Sequence, residues 1–155
     1  PEVSQILQFR ERPIPPRERL LQNAWLQDTF RTMIRERGGP TPLGQLYALF
    51  DVVETIIESD DFQGCLFVNA AVEFPLPHEP AHVSAANNKR AIEDIVHALA
   101  DEASADDPRR LARELCLIME GSYITRHVTG STDTIHIARS LAKLAIESRC
   151  PVEAS

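Results

Sequence analysis

PRRLARELCLIMEGSYITRHV occupies Pro108 to Val128. Its first turns carry Arg109, Arg110, Arg113 and Glu114 and suit a wet surface. From Leu115 onward, apolar residues fall on nearly every side of a helix: Leu115, Cys116, Leu117, Ile118, Met119, Tyr123, Ile124 and Val128. A helix with one solvated face shows a single apolar stripe, whereas one that is apolar all round is buried on more than one side. One side has the chain's own core to meet, and the other predicts a partner subunit. Gly121 and Ser122 near the middle point the same way. A glycine costs about 1 kcal/mol inside a helix and asks for a close-approach reason. The alternative is a central helix of a monomeric bundle, buried entirely by its own chain.

A chain of 155 residues, 43% hydrophobic and 25% charged, is long enough for one domain with a real core. Sixteen basic residues against twenty-three acidic ones give −7 at pH 7. A fold whose main surface grips nucleic acid shows the opposite balance, so this segment is not expected to touch DNA itself. Three cysteines, Cys65, Cys116 and Cys150, are odd in number and without paired spacing. They predict reduced thiols and a cytoplasmic setting. No run reaches the length of a membrane span, and no signal peptide is visible.

Upstream of the central helix, residues 1–19 read as a leading segment or linker, because Pro13, Pro15 and Pro16 oppose a continuous helix. From about Glu18 to Arg37, Leu21, Trp25, Phe30, Met33 and Ile34 recur near helical spacing, and Gly38-Gly39 stops them. Thr41-Pro42 starts a second helix running to about Glu58, with Thr41 as N-cap. Phe62 to Phe74 is ambiguous between strand and helix. Ala70-Ala71 and the lack of a second strand to pair with favour helix. Another helix runs from about Pro80 to Ala103, with Asn87, Asn88, Lys89 and Arg90 on its wet side. Asp107-Pro108 caps the central helix and Gly130 closes it. Ser131 is the expected cap of a last helix, to about Glu147, carrying Ile135, Ala138, Leu141, Ala142 and Ala145. The architecture predicted is all-α with about six helices, a domain over residues 20–148 and a tail at 149–155.

HEPAH, His78 to His82, matches the H-E-x-x-H pattern of zinc hydrolases. That chemistry needs two imidazoles one helical turn apart and a glutamate base between them. Pro80 inside the match starts a helix there, so His78 falls before it and the imidazoles do not share a face. No metal and no cofactor are expected. His127 and His136, around Gly130, lack clear further ligands. Phosphate-loop, dinucleotide and nucleophile-elbow motifs do not occur. Asn69, Glu73, Glu120 and Tyr123 are polar residues embedded in apolar runs. Buried polar groups must find partners or water, so these either satisfy one another or line a pocket.

FQGCLFVNAAVEF, Phe62 to Phe74, resembles a signature of the tetracycline-repressor (TetR) family, in which an aromatic-x-Gly-Cys segment leads into a short helix bearing Asn, Ala and Glu. The downstream order is similar too: a long helix near 80–103, an Asp-Pro-started helix with Glu120-Gly121, a Thr129-Gly130 turn and an Ala-rich final helix. The resemblance covers about 20–147. It implies an all-α regulatory domain whose last two helices form a four-helix homodimer interface and whose earlier helices enclose an effector. Two departures stand out. Nothing in residues 1–20 is the family's DNA-reading helix-turn-helix, and Gln63 stands where a basic residue is frequent. DNA contact is therefore expected only through a module absent from this chain.

These readings predict an effector-binding and dimerisation domain rather than an enzyme. The expected pocket is walled by Trp25, Phe30, Phe50, Val53, Phe67, Met119 and Tyr123, with Asn69, Glu73 and Glu120 as polar contacts. Its two carboxylates point to a small, mostly hydrophobic effector that is neutral or cationic. The expected dimer interface is Leu117, Gly121, Ile124, Val128, Ile135, Ala138, Leu141, Ala142 and Ala145. The rivals are a small metal-dependent hydrolase using His78, Glu79 and His82, and a dimerisation module with no ligand.

Overall fold

The computed structural model describes residues 16–60 and 62–150, with side chains from residue 26 onward. Over these residues the chain is all-α, with six helices and no strand. They are α1 (Pro16–Gly38), α2 (Pro42–Ile57), α3 (Leu66–Glu73), α4 (Pro80–Glu102), α5 (Pro108–Thr129) and α6 (Thr134–Arg149). Residues 16–19 thus belong to the first helix and not to a linker. The rest of the expected leading segment, and residues 151–155, lie outside the described residues. No helix among those described is long and apolar enough to cross a membrane.

Local chemistry sets most of the ends. Thr41 Oγ1 accepts a hydrogen bond from the Gly44 amide at 3.2 Å, with Pro42 opening α2 behind it. Asp107 Oδ1 does the same for the Arg110 amide at 3.1 Å, ahead of Pro108. Gly130 ends α5 in the left-handed region, at φ 73°, and its N–H bonds back to the Arg126 carbonyl. The expected Ser131 cap is corrected: Asp133 holds the N-cap position of α6 without a side-chain cap bond. Ser131 Oγ instead accepts from the Asp133 amide, which tightens the preceding turn. The Phe62–Phe74 segment is helical only from Leu66, because Gly64, at φ 84°, bends the chain beside the His127 ring.

Helix α2 lies at the centre, packed on α1, α4 and α6 and more lightly on α5, while α4, α5 and α6 stack in sequence and α3 covers α4. One apolar cluster runs through the molecule, with Leu46, Leu49, Phe50, Leu111, Leu115, Ile135 and Ile146 fully buried. Burying such a side chain contributes about 1.5–3 kcal/mol. Asn88, expected on the wet side of α4, is buried. Helix α4 packs against α1, α2, α3 and α5, which leaves it less wet surface than its composition suggests.

Two close contacts fix how the helices cross. At the α1–α2 corner a Cβ on Gly38 would sit 2.5 Å from Gln45 Cα and 2.7 Å from its amide nitrogen. Backbone cannot yield there as a flexible side chain would. At the far end, Glu114 of α5 accepts two hydrogen bonds from Arg149 of α6, at 2.8 and 2.9 Å, and one from Arg110 at 2.8 Å. The Asp106 amide donates to the Arg149 carbonyl at 2.7 Å. Helices α5 and α6 are thereby clasped as an antiparallel pair at their open end.

Gly38→Ala is expected to destabilise the fold by about 1–3 kcal/mol through overpacking, seen as a lower chemical-denaturation midpoint with an unchanged slope. The clasp predicts an acid response. Hydrogen bonds from Arg149 and then Arg110 hold the Glu114 carboxyl down at about 2. A carboxylate whose pKa is lowered by folding contributes stability above its unfolded value, near 4.3, and loses it as pH falls toward its folded value. Denaturation midpoints of the wild type should therefore fall between about pH 4.5 and 2. Glu114→Gln should be less stable at neutral pH and show a flatter decline over that window.

Candidate functional site

The outer surface of the α5–α6 pair carries a set of large apolar side chains with nothing over them. On α5 these are Leu117, 73% exposed, with Ile124 and Val128; on α6 they are Ile137, Leu141 and Leu144. The spacing is the same on both helices. Leu117, Gly121, Ile124 and Val128 follow steps of four, three and four, and Ile137, Leu141 and Leu144 follow steps of four and three. Those are the steps of a seam between packed helices. Gly121 lies within the stripe, and a Cβ added to it would meet no atom within 4 Å. Nothing among the described residues therefore calls for a glycine there.

Part of the expected interface is corrected. Ile135, Ala138 and Ala142 face the chain's own core, Ala142 with only 2% of its surface exposed. They lie on the opposite side of α6, where small residues let α2 and α5 approach. Ala145 is half-buried between the two faces. Ile137 and Leu144 escaped the sequence reading, although their register with Leu141 repeats that of Leu117 and Ile124.

The expected effector wall divides. Phe30, Phe50, Val53, Met119 and Tyr123 belong to the continuous core cluster. Phe67 and Asn69 are half-buried on α3, where Asn69 Nδ2 donates to the Gln63 carbonyl at 3.1 Å. Trp25 is on α1, and its side chain lies outside those described. Glu73 is corrected from an interior polar contact: as the last residue of α3, leading into an exposed turn, it is exposed. Phe50 also walls a half-open groove of about 320 Å³ between α2 and α6, with Tyr47, Ala142 and Ile146. Arg139 at its edge is already held by Asp51 and Glu54, both at 2.7 Å, so it brings no spare charge.

A polar junction forms where α3, α4 and α5 meet. Lys89 Nζ donates to Glu120 Oε1 at 2.9 Å and to Cys65 Sγ at 3.4 Å. Burial works against the ammonium, but Cys65 and Glu120 together more than offset it and hold Lys89 above the ordinary lysine value. Cys116 is close by, and burial, aided by Glu93 and Glu120, pushes its thiol up to about 12. Tyr123, one turn beyond Glu120, tilts against Phe62 with ring centres 6.0 Å apart, and the Arg126 guanidinium covers that Phe62 ring at 5.8 Å.

HEPAH is used as a helix start. Glu79 is the N-cap residue of α4, and its Oε2 accepts from the Leu76 amide at 3.1 Å. His82 Nδ1 lies 3.0 Å from the Phe74 carbonyl, and His78 sits in the preceding turn, outside the helix. The two imidazoles therefore lack the shared helix face that zinc hydrolysis requires. Among the described residues, no group of three or more His, Cys, Asp and Glu side chains is placed to hold a metal ion.

Comparison with known proteins agrees with this architecture. The family described as tetracyclin repressor-like, C-terminal domain, matches residues 42–142. The HTH-type transcriptional regulator YjdC of Escherichia coli K12 is 28% identical over 116 residues, as is its Shigella flexneri counterpart. The match takes in 75% of this chain and 61% of theirs, so the chain spans about three fifths of the curated relatives' length. Among solved structures, a TetR-family transcriptional regulator from Streptomyces coelicolor superposes with a TM-score of 0.73 at 20% identity, over 84% of this chain and 70% of that one. A TetR-type protein from Streptomyces avermitilis gives 0.66 at 22% identity, over 96% and 80%. At these identities the likeness is one of fold.

Proposed function

The chain belongs to the tetracycline-repressor family through that family's C-terminal regulatory domain, and from this premise we propose that it is the dimerisation and effector-binding part of a transcriptional regulator. The observation that carries the reading is the doubled apolar stripe on α5 and α6. Six large apolar side chains on one surface exceed what a monomer usually leaves to water. A two-fold pairing would set each stripe against its symmetry mate in a four-helix seam. Such a seam should bury more than about 1,000 Å² in total, with Gly121 letting the two α5 backbones come close.

In this reading a small, mostly hydrophobic effector sits among the helices on the other side of α5. It acts by binding one arrangement of the pair better than the other, since a ligand with equal affinity for both shifts nothing. DNA contact falls to a helix-turn-helix of the kind for which the YjdC relatives are named. The setting is cytoplasmic, and the chain does no catalysis of its own. Family membership and the use of His78-Glu79-Pro80 as a helix start both weigh against the hydrolase.

Light scattering and sedimentation test the reading directly. The wild type should be a dimer at micromolar concentration. Leu117→Glu and Leu144→Glu should each give a folded monomer, with helical circular dichroism retained. Ala142→Glu, directed into the chain's own core, should unfold the protein and not merely split it. A monomeric wild type would remove the basis of the proposal.

A further inference from the structure

A second set of exposed apolar side chains lies at the corner where α3 turns into α4. Val72 is 74% and Leu76 52% exposed, and Leu66, Phe74 and Val83 are exposed with them. The turn between the two helices is stiffly held. Pro75, Pro77 and Pro80 each fix a backbone angle. The Leu76 amide donates to Glu79 Oε2 at 3.1 Å, and the Glu79 amide donates to the Leu76 carbonyl at 3.0 Å. His82 Nδ1 reaches back to the Phe74 carbonyl at 3.0 Å. HEPAH therefore braces a corner that shows Phe74 and Leu76 to solvent. A loop braced in this way has little conformational entropy left to lose on binding. Apolar groups clustered in fixed positions in water mark a surface that something covers.

We infer that a second copy of this chain covers the corner, which forms the outer edge of the homodimer interface proposed above and rests on that reading. Continuity with the stripe carries this. Lys89 of α4 meets Glu120 of α5 at 2.9 Å, and Asp94 meets Arg109 at 3.0 Å, so the two helices run antiparallel. The first turns of α4, with Val83, thus lie level with the last turns of α5, with Ile124 and Val128. The start of α3 joins at the same end. A Cβ on Gly64 would sit 3.1 Å from Cγ of His127, the neighbour of Val128, and Leu66 opens α3 two residues later. Composition narrows the partner further. No lysine or arginine occurs between Phe62 and Ser84, so the segment offers no such cation to a phosphate backbone or an anionic lipid headgroup. What remains is apolar burial, the same chemistry as the stripe. A specific interface takes about 20–30 residues from each side. Helices α5 and α6, with 22 and 16 residues, turn about three to four positions in seven to one side, which reaches only the low end of that range. The corner supplies the remainder without a new partner.

Sedimentation equilibrium on the whole chain tests this, with circular dichroism as the check on folding. Leu76→Glu and Val83→Ser, both at exposed positions, should keep the helical spectrum. They should raise the dimer dissociation constant at least about tenfold and about threefold, respectively. Leu43→Glu, at an exposed leucine of α2, controls for added charge alone and should leave the constant unchanged. Amide exchange over residues 72–78 should also be slower in the wild-type dimer than in monomeric Leu117→Glu. An unchanged dissociation constant in both corner variants would overturn the inference and leave the dimer itself standing. So would equal exchange in the dimer and the monomer. A monomeric wild type would remove the dimer reading and this inference with it.

Discussion

Helix α5 must be apolar on two sides at once, and the rest of the molecule is arranged around that constraint. Leu111, Leu115 and Met119 fill its own core, while Leu117, Ile124 and Val128 stand outward with no cover from the chain. An ordinary surface helix avoids this, because each exposed large apolar side chain forgoes about 1.5–3 kcal/mol of burial. The outward stripe is useful only if it is presented in a fixed plane with that of α6. The Glu114–Arg149 clasp fixes the open end of the hairpin, and Arg139 ties α6 back to Asp51 and Glu54 of α2. Exposed ion pairs of this sort contribute little to stability one by one. Here they add charged ties at the ends of two helices whose inward faces are already fixed by buried Leu111, Leu115, Ile135 and Ile146.

Most of the fold was legible because the helices start and stop with short-range chemistry. Thr41-Pro42, Asp107-Pro108, Gly38-Gly39 and Gly130 each carry their signal within four residues, and the structure uses all of them. The failures share one cause. Ser131 looks like an N-cap locally, but the register of α6 is set by where Ile135 and Ala138 must enter the core, which shifts the start to Thr134. Asn88 looks wet by composition and is buried, in a helix that packs against four others. Neither fact is written in nearby residues.

The candidate site divides along the same line. On α5 the pattern is legible, since apolar residues all round a helix demand two neighbours, and Leu117, Ile124 and Val128 are exposed. On α6 the small residues suggest a seam, yet Ala138 and Ala142 are buried in the chain's own core. Alanine permits close approach but does not say by whom. The larger residues on the opposite face, Ile137 and Leu144, were the informative ones, because an exposed large apolar side chain is harder to explain than a buried alanine. Lys89, expected on the wet side of α4, is part-buried in an ion pair. Its partners lie 24 and 31 residues away along the chain, at Cys65 and Glu120, and no periodicity marks such a pair.

The two surfaces meet on one helix, and this gives the regulatory reading a physical route. Glu120 and Gly121 are consecutive: the first holds Lys89 on the inner side, and the second lies in the outward stripe where nothing among the described residues approaches. One helical turn on, Tyr123 and Ile124 repeat the arrangement, one buried and one exposed. A ligand bound on the inner side of α5 would therefore act on the same two turns that a partner helix would contact. Helix shifts of about 1–2 Å at subunit interfaces are enough to switch known assemblies. A glycine seam is well suited to register them, because backbone-to-backbone packing has no flexible side chain to absorb the movement. On the proposed reading no long pathway through the core is needed, because sensing and pairing fall to one helix.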